Sequence, residues 1–125
     1  MAARLLGRDG ANGVREALAQ VGLHRRADDA VSTFSAGMRK RLALARVLLQ
    51  RPRVAFLDEP YGELDPPGFA LLDAVLDEEQ ARGVTVLIAT HLLEHGRDRC
   101  DLAVTLDEGR LVWSGPAAEL PTVAS

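Results

Sequence analysis

Two short apolar runs, the second rich in β-branched residues, each stop abruptly at polar chemistry. Val54-Ala55-Phe56-Leu57 ends at Asp58-Glu59-Pro60, and Val84 to Ala89 ends at Thr90-His91. Between them, Phe69 to Ala81 places Leu72, Val75 and Leu76 at helical spacing, with Gly83 as the stop. A strand, a helix and a second strand in that order predict a parallel pair joined by a right-handed crossover, hence an α/β fold. A run as apolar as Val54 to Leu57 is expected of a buried parallel strand. In such sheets ligands collect at the carboxyl ends of the strands, where Asp58, Glu59 and His91 fall.

The residues before this unit read as helical. Val14, Leu18 and Val21 recur at helical spacing after Gly10-Ala11-Asn12-Gly13, predicting a short helix capped by Asn12 and stopped by Gly22. His24 to Thr33 reads as a connection. A second helix is predicted from about Gly37 to Gln50, with Met38, Leu42, Ala45 and Leu49 on one face, Ser35 as its cap and Pro52 beyond its end. Arg39, Lys40 and Arg41 near its start oppose the helix dipole, an arrangement that favours a negative group docking there. Towards the C-terminus, Leu102 to Leu106 and Arg110 to Trp113 flank Asp107-Glu108-Gly109, a hairpin signal, and Ala117 to Leu120 predicts a helical turn.

Composition narrows the function. The 125 residues are 47% hydrophobic and 26% charged, as for one soluble domain large enough to bury a core. A formal charge of −3 offers no global positive field, and one Tyr, one Trp and three Phe offer few stacking surfaces, so no nucleic-acid partner is expected. The single cysteine, Cys100, has no partner for an intrachain disulfide and suits a reducing compartment. No apolar run approaches the ~20 residues of a membrane span, and the first ten residues lack a signal-peptide core, so the chain reads as cytosolic.

Three segments can carry chemistry. A carboxylate at a strand end, Asp58, suits a hard cation such as Mg²⁺, directly or through water. Its neighbour Glu59 can orient and deprotonate an attacking water. Ser35-Ala36-Gly37 opens the basic helix with small residues that let backbone N–H groups approach an anion. Each also has a plain structural explanation: a solvated strand end, a helix cap, a hydrogen-bonding histidine.

Together, in order, Phe34-Ser35-Ala36-Gly37-Met38, Val54 to Pro60, Gly62-Glu63-Leu64-Asp65 and Ala89-Thr90-His91 resemble the signature, Walker B, D-loop and switch-histidine segments of ABC-type ATPases. Ser35 to Asp58 is 23 residues, Asp58 to Asp65 is 7 and Asp58 to His91 is 33, spacings that suit the family. The resemblance implies that Ser35, Ala36 and Gly37 contact ATP held by a second nucleotide-binding domain. It also implies that Asp58 holds Mg²⁺ through water, Glu59 is the general base, His91 contacts the γ-phosphate and Asp65 works at the dimer interface. Ala36 stands where the family has glycine, Met38 where it has glutamine, Gly62-Glu63 where Ser-Ala is commoner, and Leu92 follows the histidine in place of Asp.

A phosphate-cradling loop needs Gly-x-x-x-x-Gly-Lys followed by Ser or Thr, yet the sole lysine, Lys40, lies between Arg39 and Arg41. The sequence therefore resembles the C-terminal part of one P-loop (RecA-like) nucleotide-binding domain without its Walker A motif. About residues 1–50 correspond to a remnant of the helical subdomain, and about 51–125 to the Walker B, D-loop and switch part. The resemblance implies an ATPase subunit working with membrane-embedded transporter subunits on the cytoplasmic face. Within that class, Phe34 to Met38 and Asp58 to Tyr61 are similar to haem exporters of cytochrome c maturation. The chain alone is expected to bind ATP weakly without turning it over, a Walker A-containing chain restoring a composite site. The sheet edge at Val84 to Ala89 is expected to be exposed. A non-catalytic remnant or binding module, and the C-terminal lobe of SMC or repair ATPases, remain as alternatives, although the first 34 residues carry no sustained heptads.

Overall fold

The computed structural model describes residues 7–122 and divides into two compact units after Ala89. The first unit holds helices α1 (Gly7–Gln20), α2 (Ala36–Leu49) and α3 (Pro66–Ala81) with strands β1 (Val54–Asp58) and β2 (Thr85–Ala89). Two 3-10 turns, His24–Arg26 and Val31–Thr33, connect α1 to α2. The second unit holds α4 (Leu93–Arg99), β3 (Leu102–Asp107), β4 (Arg110–Pro116) and a 3-10 turn at Ala117–Glu119. No helix among the described residues is long and apolar enough to cross a membrane.

The strand–helix–strand reading holds: β1 and β2 pair in parallel, in register from Val54↔Thr85 to Asp58↔Ala89, with α3 as the crossover. Two helix starts and one further helix differ from expectation. Helix α1 begins at Gly7 and runs through Asn12, which is therefore no cap; continuous backbone hydrogen bonding overrides the two glycines. It closes as expected at Gly22, where Leu23 N–H bonds Leu18 C=O at 2.8 Å and Gly22 N–H bonds Ala19 C=O at 3.1 Å. Helix α3 begins at Pro66, three residues before Phe69, because Asp65 caps it and two prolines suit its first turn. Helix α4 follows the second strand unannounced, since its polar sequence Leu-Glu-His-Gly-Arg-Asp-Arg has no apolar period.

The expectation of a fully buried β1 is corrected. The β1–β2 sheet has two strands among the described residues, and one face packs on helices: Ala55 is buried and Leu57 half-buried, close to Leu44, Leu48, Val75 and Leu76. The other face is open, with Phe56 73% exposed beside Val54 and Leu87. Strand side chains alternate between faces, so one helical layer covers one alternate set. The core gathers Ala17, Val21 and Leu23 from α1 and its exit, Phe34, then Leu44, Ala45 and Leu48 from α2, and Leu72, Val75 and Leu76 from α3.

In the second unit, β3 and β4 form the expected antiparallel hairpin, closed by Glu108 (φ 46°) and Gly109 (φ 77°), the two-residue type I′ turn that matches strand twist. Ala117 and Leu120 are buried, and Arg97 of α4 donates to the Leu120 carbonyl at 2.7 Å. Burial pushes the Cys100 thiol above its ordinary range, and the adjacent Asp101 carboxylate adds to the shift while Arg99 opposes it. A reactive thiolate at neutral pH is thereby disfavoured.

Candidate functional site

The first unit converges on the loop that follows β1. Asp58 is the last residue of β1 and lies exposed, paired with Ala89 at the same end of the sheet. Glu59 turns the chain sharply away: its backbone is left-handed (φ 45°), a conformation that costs a non-glycine residue about 1–3 kcal/mol. The turn is held from both sides of the peptide. Glu59 N–H donates to the Ala89 carbonyl at 2.7 Å, and its carbonyl accepts from Gly62 N–H at 3.1 Å and from Lys40 Nζ. Glu63, four residues on, is again left-handed (φ 64°). Two strained residues within one short loop fix the direction in which its carboxylates leave the backbone.

Helix α2 clamps this loop along its first turns. Ser35 is the N-cap, its Oγ accepting from Met38 N–H at 3.2 Å, so the serine has the capping role expected of it. A Cβ on Gly37 would lie 3.1 Å from the Glu63 carbonyl oxygen, tighter than ordinary packing, so glycine at this position allows the helix start and the loop to meet. Ala36, which replaces the family's glycine, is exposed. Lys40 bonds the Glu59 carbonyl, and Arg41 reaches Asp65 Oδ1 at 3.5 Å. Two of the three cations at the helix start thus have intramolecular partners, a carbonyl and a carboxylate, which offset in part the unfavourable dipole; Arg39 is exposed.

Asp65 closes the loop by capping α3, its Oδ1 accepting from Gly68 N–H at 2.9 Å. Replacing Asp65 with Ala is expected to lower stability by about 1 kcal/mol, and Asp65→Asn by much less, read by urea unfolding. Sequence reading left Tyr61 without a role; the structure gives it one. It is 3% exposed, its hydroxyl donates to Asp73 Oδ1 at 2.6 Å and its ring sits 4.9 Å from that of Phe69. Tyrosine joins a large apolar ring to a hydroxyl that finds a partner when buried, and both are used here.

Ser35, Gly37, Asp58, Glu59 and Asp65 therefore share one unit, joined through α2 and the 59–65 loop. His91 is the second residue of the second unit, two positions beyond the end of β2. It is exposed, its backbone carbonyl accepts from Leu93 N–H at 3.0 Å, and Thr90 Oγ1 accepts from Leu92 N–H at 3.1 Å. Among the described residues no group of three or more His, Cys, Asp or Glu is placed to hold a metal ion. A lone exposed carboxylate donor such as Asp58 at the end of β1 is of the kind Mg²⁺ takes, since that ion keeps several waters and accepts one or two protein carboxylates alongside phosphate oxygens. It does not fit a cation caged by protein ligands alone.

Comparison with known proteins decides the family. Residues 5–62 match the ABC transporter family. A phosphonates import ATP-binding protein of Agrobacterium fabrum, PhnC, is 36% identical over 109 residues, 86% of this chain and 38% of that protein. The uncharacterized ABC transporter ATP-binding protein YxlF of Bacillus subtilis is 39% identical over 108 residues, again 86% of this chain and 36% of that protein. The chain belongs to the ABC transporter ATP-binding domain family. Among solved structures, cbiO1 of Clostridium perfringens, part of the ABC transporter complex cbiONQ, superposes with a TM-score of 0.74 at 33% identity, over 89% of this chain and 45% of that one. The α/β fold is thus that of ABC nucleotide-binding domains. The chain spans about two fifths of the length of the curated relatives it matches.

Proposed function

We propose that this chain is the signature-to-switch part of an ABC transporter ATPase, coupling ATP hydrolysis in a nucleotide-binding-domain dimer to transport. The observation that carries the reading is the clamp between α2 and the loop after β1, which joins the phosphate-facing helix start to the carboxylate pair in one rigid piece. In this reading Ser35, Ala36 and Gly37 present backbone N–H groups to ATP held by the second domain. Asp58 holds Mg²⁺ through water; the ion supplies neutralisation of phosphate charge. Glu59 takes a proton from the hydrolytic water, His91 contacts the γ-phosphate and Asp65 lies at the dimer interface. Phosphoryl transfer rests on positioning and charge neutralisation, which such an arrangement provides. About residues 1–50 then belong to the helical subdomain and about 51–125 to the catalytic core. Membrane-embedded subunits carry the cargo, with this ATPase part on their cytoplasmic face. Haem export is supported by the likeness of Phe34 to Met38 and Asp58 to Tyr61 to haem-exporter subunits; phosphonate import, named for one relative, is the rival cargo.

The open sheet face supports a composite domain. Phe56, Val54 and Leu87 leave the parallel pair covered on one side, whereas parallel sheets are covered on both. The occupant that suits them is a chain bearing Gly-x-x-x-x-Gly-Lys and the apolar elements around it, since the sequence itself lacks that loop. The purified chain is expected to release no phosphate from Mg-ATP, and turnover is expected when a polypeptide carrying that loop is added. Steady turnover by the chain alone would overturn the reading.

A further inference from the structure

We propose that Lys40 is a positioning residue for Glu59, its ammonium holding the carbonyl that fixes the left-handed backbone from which the Glu59 carboxylate departs. The proposal rests on the reading of Glu59 as the base for the hydrolytic water. It starts from two facts: Glu59 has φ 45°, and both of its backbone polar groups are tied. The N–H is held at 2.7 Å by the Ala89 carbonyl at the end of β2. The carbonyl is held by the Gly62 N–H of its own turn and by Lys40, nineteen positions upstream on α2. The Gly62 bond is local and moves with the turn. Lys40 is the tie between the carbonyl and a different element, and a charged donor makes the stronger hydrogen bond.

The residue type fits the space. Every other basic side chain in the sequence is arginine, fourteen of the fifteen, and the exception stands here. A Cβ on Gly62 would lie in near-ordinary contact, 3.4 Å, with both Lys40 Nζ and the Glu59 carbonyl oxygen, so the ammonium sits close against the backbone of the turn. A compact ammonium suits a single carbonyl there, whereas the planar guanidinium presents a wide fork built for two acceptors. Lys40 stands beside Arg41, whose partner is Asp65, so two successive residues of α2 hold the two ends of the loop. When the lysine donor is removed, the helix keeps its core contacts through Leu44, Ala45 and Leu48 while the Glu59 turn loses its outside anchor.

The test begins on the full chain by amide hydrogen exchange in NMR. Lys40→Met keeps the apolar stem and removes the donor; it is expected to speed exchange at the Glu59 and Gly62 amides about tenfold, with Leu44, Ala45 and Leu48 at wild-type rates. Unchanged exchange at Glu59 and Gly62 in a folded Lys40→Met chain would overturn the proposal. Because the sequence holds one lysine, the wild-type ammonium gives one Nζ signal, readable without any variant. Slowed ammonium proton exchange is expected, and exchange as fast as in free lysine would overturn it equally. In an assembly that turns over ATP, Lys40→Met is expected to lower kcat about tenfold at unchanged KM, with Lys40→Arg restoring part of it; an unchanged kcat also defeats the positioning role. The exchange readouts need no nucleotide, so they stand apart from the base assignment, which Glu59→Gln tests by itself.

Discussion

In an assembly supplied with a Walker A partner, Glu59→Gln is expected to lower ATP turnover by about 10²-fold or more while leaving ATP binding near its wild-type strength. The amide is nearly isosteric with the carboxylate, so the left-handed backbone, the Ala89 bond and the Lys40 bond all remain, because they involve main-chain atoms of residue 59. What is lost is the group that accepts a proton from water. A general base acts in the transition state, so the loss falls on kcat and spares ATP affinity. Asp58→Asn is expected to give a different pattern: if Asp58 holds Mg²⁺ as proposed, removing its charge weakens metal-dependent binding as well as rate. Phosphate release under single-turnover conditions, with Mg²⁺ titrated for each variant, separates the two. A Glu59→Gln assembly hydrolysing at the wild-type rate would remove Glu59 from the chemistry.

Much of this arrangement was legible before any coordinates, and the reason differs from element to element. The parallel pair was readable because a buried-type run that ends in carboxylates leaves few alternatives, and the hairpin because Asp107-Glu108-Gly109 lies between two apolar runs; the positive φ of Glu108 is not written in its residue type. Ser35 was readable as a cap, since its side chain acts within one turn. The exposure of Phe56 was not, because apolar composition reports what a strand is suited to bury and not whether a second layer is present. The start of α3 at Pro66 was missed although Asp followed by Pro is a start signal; the apolar period, which begins at Phe69, was given more weight. Lys40, Arg41 and the 59–65 loop are 19 or more positions apart in sequence, and no local pattern announces contacts at that distance. The charges near the start of α2 suggest a docking anion, but their composition does not reveal that two of them also meet a carbonyl and a carboxylate of the same chain.

The largest stability effect outside the core helices is expected at Tyr61. Tyr61→Ala should cost about 3–5 kcal/mol in urea or thermal unfolding, the range for truncating a buried aromatic. Tyr61→Phe should cost about 1–2 kcal/mol, since it keeps the ring against Phe69 and removes the donor to Asp73. The residue is placed to matter more than its area suggests. It lies midway between Glu59 and Glu63, the two left-handed residues of the loop, and at 3% exposure it ties that strained segment to α3. Strain of this kind persists where the surroundings over-determine the backbone. Tyr61→Ala removes one side-chain anchor of the loop, Lys40 and Asp65 being others, so the loop can relax toward ordinary backbone angles. A double variant with Lys40→Met is then expected to cost less than the sum of the two single variants, because the strain is released once. A Tyr61→Ala chain within about 0.5 kcal/mol of wild type would show that the ring carries no such load.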